Sequence, residues 1–344
     1  AIAVGLALAA VAVLRTVAVQ PDDEVHPALW FVGAGVASGP ALLLVGTAPR
    51  LAGVNDAVLV AFTGNGLALL WLGSVAIGAA LYVLPTESGV PLYSRSLAAL
   101  GFWGWVVLAP LAAGAKLLSG PAPDWWETLG TAASIALLIP VLAIVTVLAL
   151  TYARRVPSGT HSAALRFALA GTVFFGLYGG LRAVGALRTV ASVLHLTVAI
   201  DAGTELALYG VIGSWLAAGV YAALPALTGN TALSPAAQRR HVWLVVSGVA
   251  LVVVPLLVGG IVQGALWQAG VRDGSGVFLG SGWSLVSDAV RPWLWARAAG
   301  EAVLFLAWGT LFQQVLSTYS YGQPLATAPA VAVDVSSSSV VVRA

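Results

Sequence analysis

Asp201 and Glu205 stand one helical turn apart inside an otherwise apolar stretch, His195 to Pro225, that reads HLTVAIDAGTELALYGVIGSWLAAGVYAALP. At 1.5 Å per residue a helix of this length crosses a bilayer, and there each charge costs about 2.5–3.5 kcal/mol or more. Intramembrane carboxylates therefore face a bundle interior, a partner cation or a water-filled cavity, and this helix is expected to line whatever site the protein has. The plainer alternative leaves both acids solvated near the membrane boundary, because Asp201 follows closely on the polar His195 and Thr197. Other chemistry is scarce. The chain has no Cys and no Met, which excludes disulfides, thiolate metal sites, Cys-attached haem and thioether ligands, and leaves four histidines for any metal. His26 lies in an acidic loop and His161 in a basic one, where solvated rings are expected. His195 and His241 sit at the starts of apolar segments, placed to cap a helix or reach headgroups.

The elements that must position these residues are membrane-spanning helices. With 60% hydrophobic and 8% charged residues and a mean hydropathy of +0.96, the chain has too little polar surface to cover a soluble globule. Apolar runs of about 18 residues or more recur without the period of two of a membrane barrel, so the fold class is all-α, a polytopic helical bundle. About nine spans are expected: Ala1 to Val19, Ala28 to Thr47, Ala57 to Leu84, Ser96 to Leu118, Thr128 to Tyr152, Ala164 to Leu187, Leu196 to Leu224, Val242 to Trp267 and Trp293 to Leu316. Residues 1–316 are read as the bundle and 317–344 as a polar C-terminal tail, which has serines from Ser336 to Ser339 in a row.

Trp30, Trp125, Trp126, Trp267, Trp283 and Trp293 fall near expected span ends, where amphipathic rings favour the headgroup layer. Gly176 with Gly180 predicts close helix packing. The first segment has no basic n-region or small-residue cleavage site and is read as a span rather than a signal peptide. Arg154, Arg155 and Arg166 assign one loop to the cytoplasm, and Arg239 and Arg240 another, which puts Asp124 and Glu127 outside. The acidic loop Pro21 to Pro27 falls inside and disagrees, though acids weigh little in this rule. A net charge of +2 gives no argument for nucleic acid. No Walker-type loop, dinucleotide fingerprint, Ser-His-Asp set or Cys-rich motif proposes another enzyme.

Short motifs in order carry a resemblance. Gly64-Asn65-Gly66 opens a span ending Tyr82-Val83-Leu84-Pro85; Pro91-Leu92-Tyr93-Ser94-Arg95-Ser96-Leu97, Phe102-Trp103 and Pro123-Asp124-Trp125 follow. Then come His195, a span ending Tyr221-Ala222-Ala223-Leu224-Pro225, His241-Val242-Trp243 and Ile261-Val262-Gln263-Gly264-Ala265-Leu266-Trp267. Together they resemble haem-copper oxidase subunit I, closest to the C-family (cbb-type) cytochrome oxidases and the nitric oxide reductases. The resemblance reaches to about Leu316 and begins at the family's fourth helix, so about nine of its twelve helices are expected, the first three being absent or on another chain.

That family holds haem iron through axial imidazoles and copper through three more. Here the resemblance implies departures at each such position. Asn65 stands where the first copper-ligand His is expected, Ala115 and Lys116 where a His-His pair is, and Ala109 where a cross-linked Tyr is; Gly203-Thr204-Glu205 replaces His-x-His. The scaffold is retained and the redox site erased: no metal, no cofactor and no catalytic residue are expected. His195 is the candidate if haem is bound, although it matches a family His that is not an axial ligand.

An emptied site needs filling, and the comparison brings Lys116 toward Glu205 as an ion pair, with Arg182 and Asp201 as a rival pair. A polar conduit through Glu205, Lys116, Asn65, Tyr178 and Glu301 is the functional alternative, though Glu301 is better read as an i,i+4 partner of Arg297. Three functions stay open. The first is a non-catalytic, haem-free subunit of a larger respiratory or denitrification complex in the prokaryotic cytoplasmic membrane, its partners being lipids and other membrane subunits. The second is an oxygen or nitric oxide reductase subunit completed by another chain, with haem ligands from that partner. The third is a proton or small-solute pathway.

Overall fold

The computed structural model describes residues 2–19, 25–47, 52–118, 120–155, 161–231, 234–272, 282–321 and 323–324. Helix α1 covers Ile2–Ala18 and α2 Pro27–Gly46; α3, Val54–Asn65, continues through a π-helical segment, Gly66–Gly73, into α4, Ser74–Ser88. Helix α5, Arg95–Leu111, tightens into a 3-10 turn at Ala112–Leu117; α6, Asp124–Ala136, and α7, Leu138–Ala153, follow each other in one span. Next are α8, Ala163–Gly185, the short α9, Arg188–Leu194, and α10, Ala199–Glu205, which passes through a second π segment, Leu206–Gly213, into α11, Ser214–Thr228. Helices α12, Pro235–Arg272, and α13, Gly282–Tyr321, complete the bundle.

Among the described residues eight helices are long and apolar enough to cross a membrane, and the shorter apolar helix Ala3–Ala18 makes the ninth expected segment. The chain is a multi-pass membrane protein with an all-helical fold. One small departure is a two-residue bridge between the α11–α12 connection and the segment after α13: β1, Asn230–Thr231, pairs antiparallel with β2, Gln323–Pro324. Helix α13 also begins at Gly282 and runs to Tyr321, past the expected limits at Trp293 and Leu316. Trp293 therefore lies inside α13, against Gly259 of α12, rather than at a span end. The rest of the expected tail, from residue 325, lies outside the described residues.

Caps and turns explain where helices start and stop. Ser94 Oγ accepts the Leu97 N–H at 3.2 Å and Ser162 Oγ the Leu165 N–H at 3.1 Å, each filling one orphan donor. Helices α4 and α11 each end at a left-handed glycine, Gly89 (φ 67°) and Gly229 (φ 68°), where a side chain would be strained. The core lies where α4, α5, α7, α8 and α11 meet, around Ile77, Leu81, Trp105, Ile144, Phe175 and Trp215. Its indoles are satisfied, Trp105 Nε1 donating to Ser74 Oγ and Trp215 Nε1 to the Ala168 carbonyl, both at 3.1 Å.

Close helix approach occurs elsewhere than expected. A Cβ at Gly180 would meet nothing within 4 Å and one at Gly176 only Val145 at 3.9 Å. Among the tightest approaches are Gly130 of α6, where a Cβ would run into Ala115 N, and Gly264 of α12, where one would run into the Val193 carbonyl oxygen. Gly260, one turn before Gly264, presses on Ala199 in the same way. These glycines fix two segments, the 3-10 turn after α5 and the α9–α10 corner, and both border the cavity described next.

Candidate functional site

Three cationic or ring-bearing side chains, Lys116, Arg182 and His195, meet at one cavity of about 150 Å³, where α5 and α8 finish and α10 begins. Asn65, at the junction of α3 and its π segment, and Tyr178, one turn before Arg182, form its floor of polar groups. Ala115, Gly203 and Thr204 also line it, while Leu69, Leu181, Leu194 and Leu208 make the wall apolar.

Local structure dictates how these groups are held. The end of α5 tightens into 3-10 geometry at Ala112–Leu117, and carbonyls there take donors from outside the helix. Asn65 Nδ2 donates to the Ala109 carbonyl at 2.6 Å, and Arg182 Nη2 donates to the Ala112 carbonyl at 2.8 Å and to Asn65 Oδ1 at 3.4 Å. The amide at position 65 is thus a buried brace between helices. Ala109 is fully buried and reaches the site only through its carbonyl.

The expected ion pairs are exchanged for another. Glu205 Oε1 accepts from Arg297 Nη2 at 3.0 Å, and the same Arg297 Nη2 lies 2.8 Å from Glu301 Oε1. Neither Lys116–Glu205 nor Arg182–Asp201 forms an ion pair among the described residues; Asp201 is exposed. The i,i+4 pair of Arg297 with Glu301 is present as expected. Of the positions where the resemblance implies metal ligands, the cavity brings together Asn65, Ala115, Lys116 and Gly203, and Glu205 does not line it. Sequence reasoning missed the Arg297–Glu205 bond, although an acid within a span needs a cation and Arg297 of α13 supplies one to Glu205 as well as to Glu301.

The histidines are scattered. His26 caps α2, its Nδ1 accepting from Ala28 N at 3.2 Å, and His161 Nε2 lies 2.7 Å from the Tyr152 hydroxyl. His241, expected at a helix cap or interface, is instead fully buried: Gln314 Nε2 donates to the Tyr221 hydroxyl at 2.8 Å, which lies 2.9 Å from His241 Nδ1. His195 alone borders the cavity, and burial pushes its pKa down, opposed by the Glu127 carboxylate. A single imidazole beside two cationic side chains is not the ligand set that haem iron or copper takes. Among the described residues no three His, Asp or Glu side chains gather as a metal site would require.

The sequence has known relatives. It is 25% identical over 309 residues to the cbb3-type cytochrome c oxidase subunit CcoN1 of Stutzerimonas stutzeri, covering 86% of this chain and 64% of that one. It is 24% identical to the bacteroid cytochrome c oxidase subunit 1 homolog of Bradyrhizobium diazoefficiens, covering 85% and 55%, and 24% identical to cytochrome c oxidase subunit 1 of Rhodobacter capsulatus, covering 94% and 62%. The chain thus spans between 55% and 64% of the length of these relatives. A solved heme-copper terminal oxidase dimer superposes with a TM-score of 0.70 at 15% identity, covering 88% of this chain and 58% of that one, which shows the fold. Residues 1–303 match the model of the family described as cytochrome c and quinol oxidase polypeptide I, and the chain belongs to that family.

Proposed function

We propose that this protein is a haem- and copper-free subunit that keeps the oxidase scaffold as a structural or docking part of a larger respiratory or denitrification complex. One observation supports the reading: the cavity where the resemblance implies metal ligands is lined by Lys116 and Arg182, whose positive charges oppose a metal cation, and by Asn65, which braces two helices. The relatives are named as oxidase subunits, which supports membership of a multi-subunit assembly. A continuous proton path through the five conduit residues is disfavoured, because Glu205 and Glu301 both engage Arg297 while Asn65, Lys116 and Tyr178 line the cavity. Basic residues at Arg154–Arg155, after α7, and Arg239–Arg240, in the first turns of α12, support an orientation with the cavity at the outer end of the bundle.

Affinity isolation of the tagged full chain from its own membranes tests this. The expected result is co-purification with other membrane subunits, together with no oxygen or nitric oxide reduction by the chain alone. Isolation as a lone, monodisperse protein, or turnover by the purified chain, would overturn it.

A further inference from the structure

The cavity is rich in donors and poor in acceptors. Lys116 makes no hydrogen bond or ion pair among the described residues, and it is close enough to Arg182 for the two charges to repel. Arg182 bonds only neutral oxygens, and its Nε–H is buried without a partner. The Tyr178 hydroxyl is buried beside the Arg182 guanidinium, only 3% of the residue being exposed, and the Thr131 hydroxyl is buried without a partner. No carboxylate lines the cavity; Glu127 acts on His195 from α6 without lining it, and Glu205 is bound to Arg297. A part-buried Arg182 and a more exposed Lys116, with no carboxylate lining the cavity beside them, leave the site electropositive and favour entry of an acceptor.

Size and wall chemistry narrow the ligand. A cavity of about 150 Å³ accommodates a benzene-sized body. A bare inorganic anion would satisfy the donors but leave the face of Leu69, Leu181, Leu194 and Leu208 without contacts. An anion with one charged end and an apolar body satisfies both.

We propose that this cavity binds a small organic monocarboxylate, its carboxylate held by Lys116, Arg182 and the Tyr178 hydroxyl and its apolar body against the leucine wall. The inference rests on the haem-free reading of the same cavity.

The test uses the full chain purified in detergent, with benzoate as probe and its uncharged analogue benzyl alcohol as control. A visible spectrum comes first: a haem band from this chain overturns the haem-free reading and the site with it. On the haem-free chain, calorimetric titration is expected to show one saturable benzoate site, with benzyl alcohol at least about tenfold weaker. Lys116→Met and Arg182→Lys should each weaken benzoate by about tenfold while leaving benzyl alcohol unchanged. The proposal fails while the haem-free reading survives if benzoate does not bind at about 10 mM. It fails equally if benzyl alcohol binds as well as benzoate, an arm that needs no variant to fold.

Discussion

Glu205 and Arg297 show how a charge in a span finds its state. Loss of one partner of a fully buried pair costs about 3–5 kcal/mol. Here the Arg297 and Glu205 side chains are 30% and 15% exposed, and Arg297 keeps Glu301, so Glu205→Gln is expected to cost only about 1–2 kcal/mol. In a double-mutant cycle with Arg297→Met the two effects should couple by about 1 kcal/mol, read from unfolding of the purified chain. Strict additivity would remove the bond from the account. His195 gives a pH prediction. Its folded pKa lies below the unfolded value of about 6.5, because burial outweighs Glu127, so the unfolded chain takes up the proton first. Stability from this group is complete above that value and is lost as pH falls below it. The melting temperature should therefore drop between about pH 7 and about pH 5, and His195→Gln should flatten that part of the drop. An unchanged profile would assign the acid sensitivity to other groups. Of these residues the sequence shows that Glu205 needs a partner but not which one, since that depends on the rotation of its helix about its own axis. The Arg297–Glu301 pair was legible because spacing along one helix settles it.

At the scale of elements, glycines decide how closely helices meet. Gly264→Ala would drive a methyl into the Val193 carbonyl, and Gly130→Ala into the backbone of Ala115 beside Lys116. Each should destabilise the chain by about 1–3 kcal/mol, whereas Gly180→Ala, with open space, should be neutral or slightly stabilising. Thermal unfolding of the three variants checks the ranking, and equal effects would contradict the helix contacts described. The apolar runs made the spans legible, because lipid leaves the backbone few choices. The small-xxx-small pattern occurs at both Gly176/Gly180 and Gly260/Gly264, and only the neighbouring helix tells them apart. Neither π segment could be read from spacing. Each inserts extra residues per turn into an apolar run, and so rotates Asn65 and Glu205 relative to the helix that follows.

At the scale of the molecule, a fold shared with a heme-copper terminal oxidase dimer encloses a cavity lined by Lys116, Arg182 and His195. The order of motifs made the family legible, and positions 65, 115, 116 and 203, singled out by the resemblance, lie together at the cavity. Arg182, paired with Asp201 in the sequence reading, is the residue whose placement changes that region most. It lies one turn after Tyr178 and reaches across to the Ala112 carbonyl, adding a second cation beside Lys116. Positive charge and a single imidazole together make the region hospitable to anions rather than metals.

The central claim is that this scaffold works without a redox centre of its own. Its most direct test is the visible absorption spectrum of the full chain purified from its own membranes, with iron and copper analysis on the same sample. The account predicts no Soret band belonging to this chain and no stoichiometric iron or copper, both alone and within its complex. A Soret band assigned to this chain and abolished by His195→Ala would contradict it.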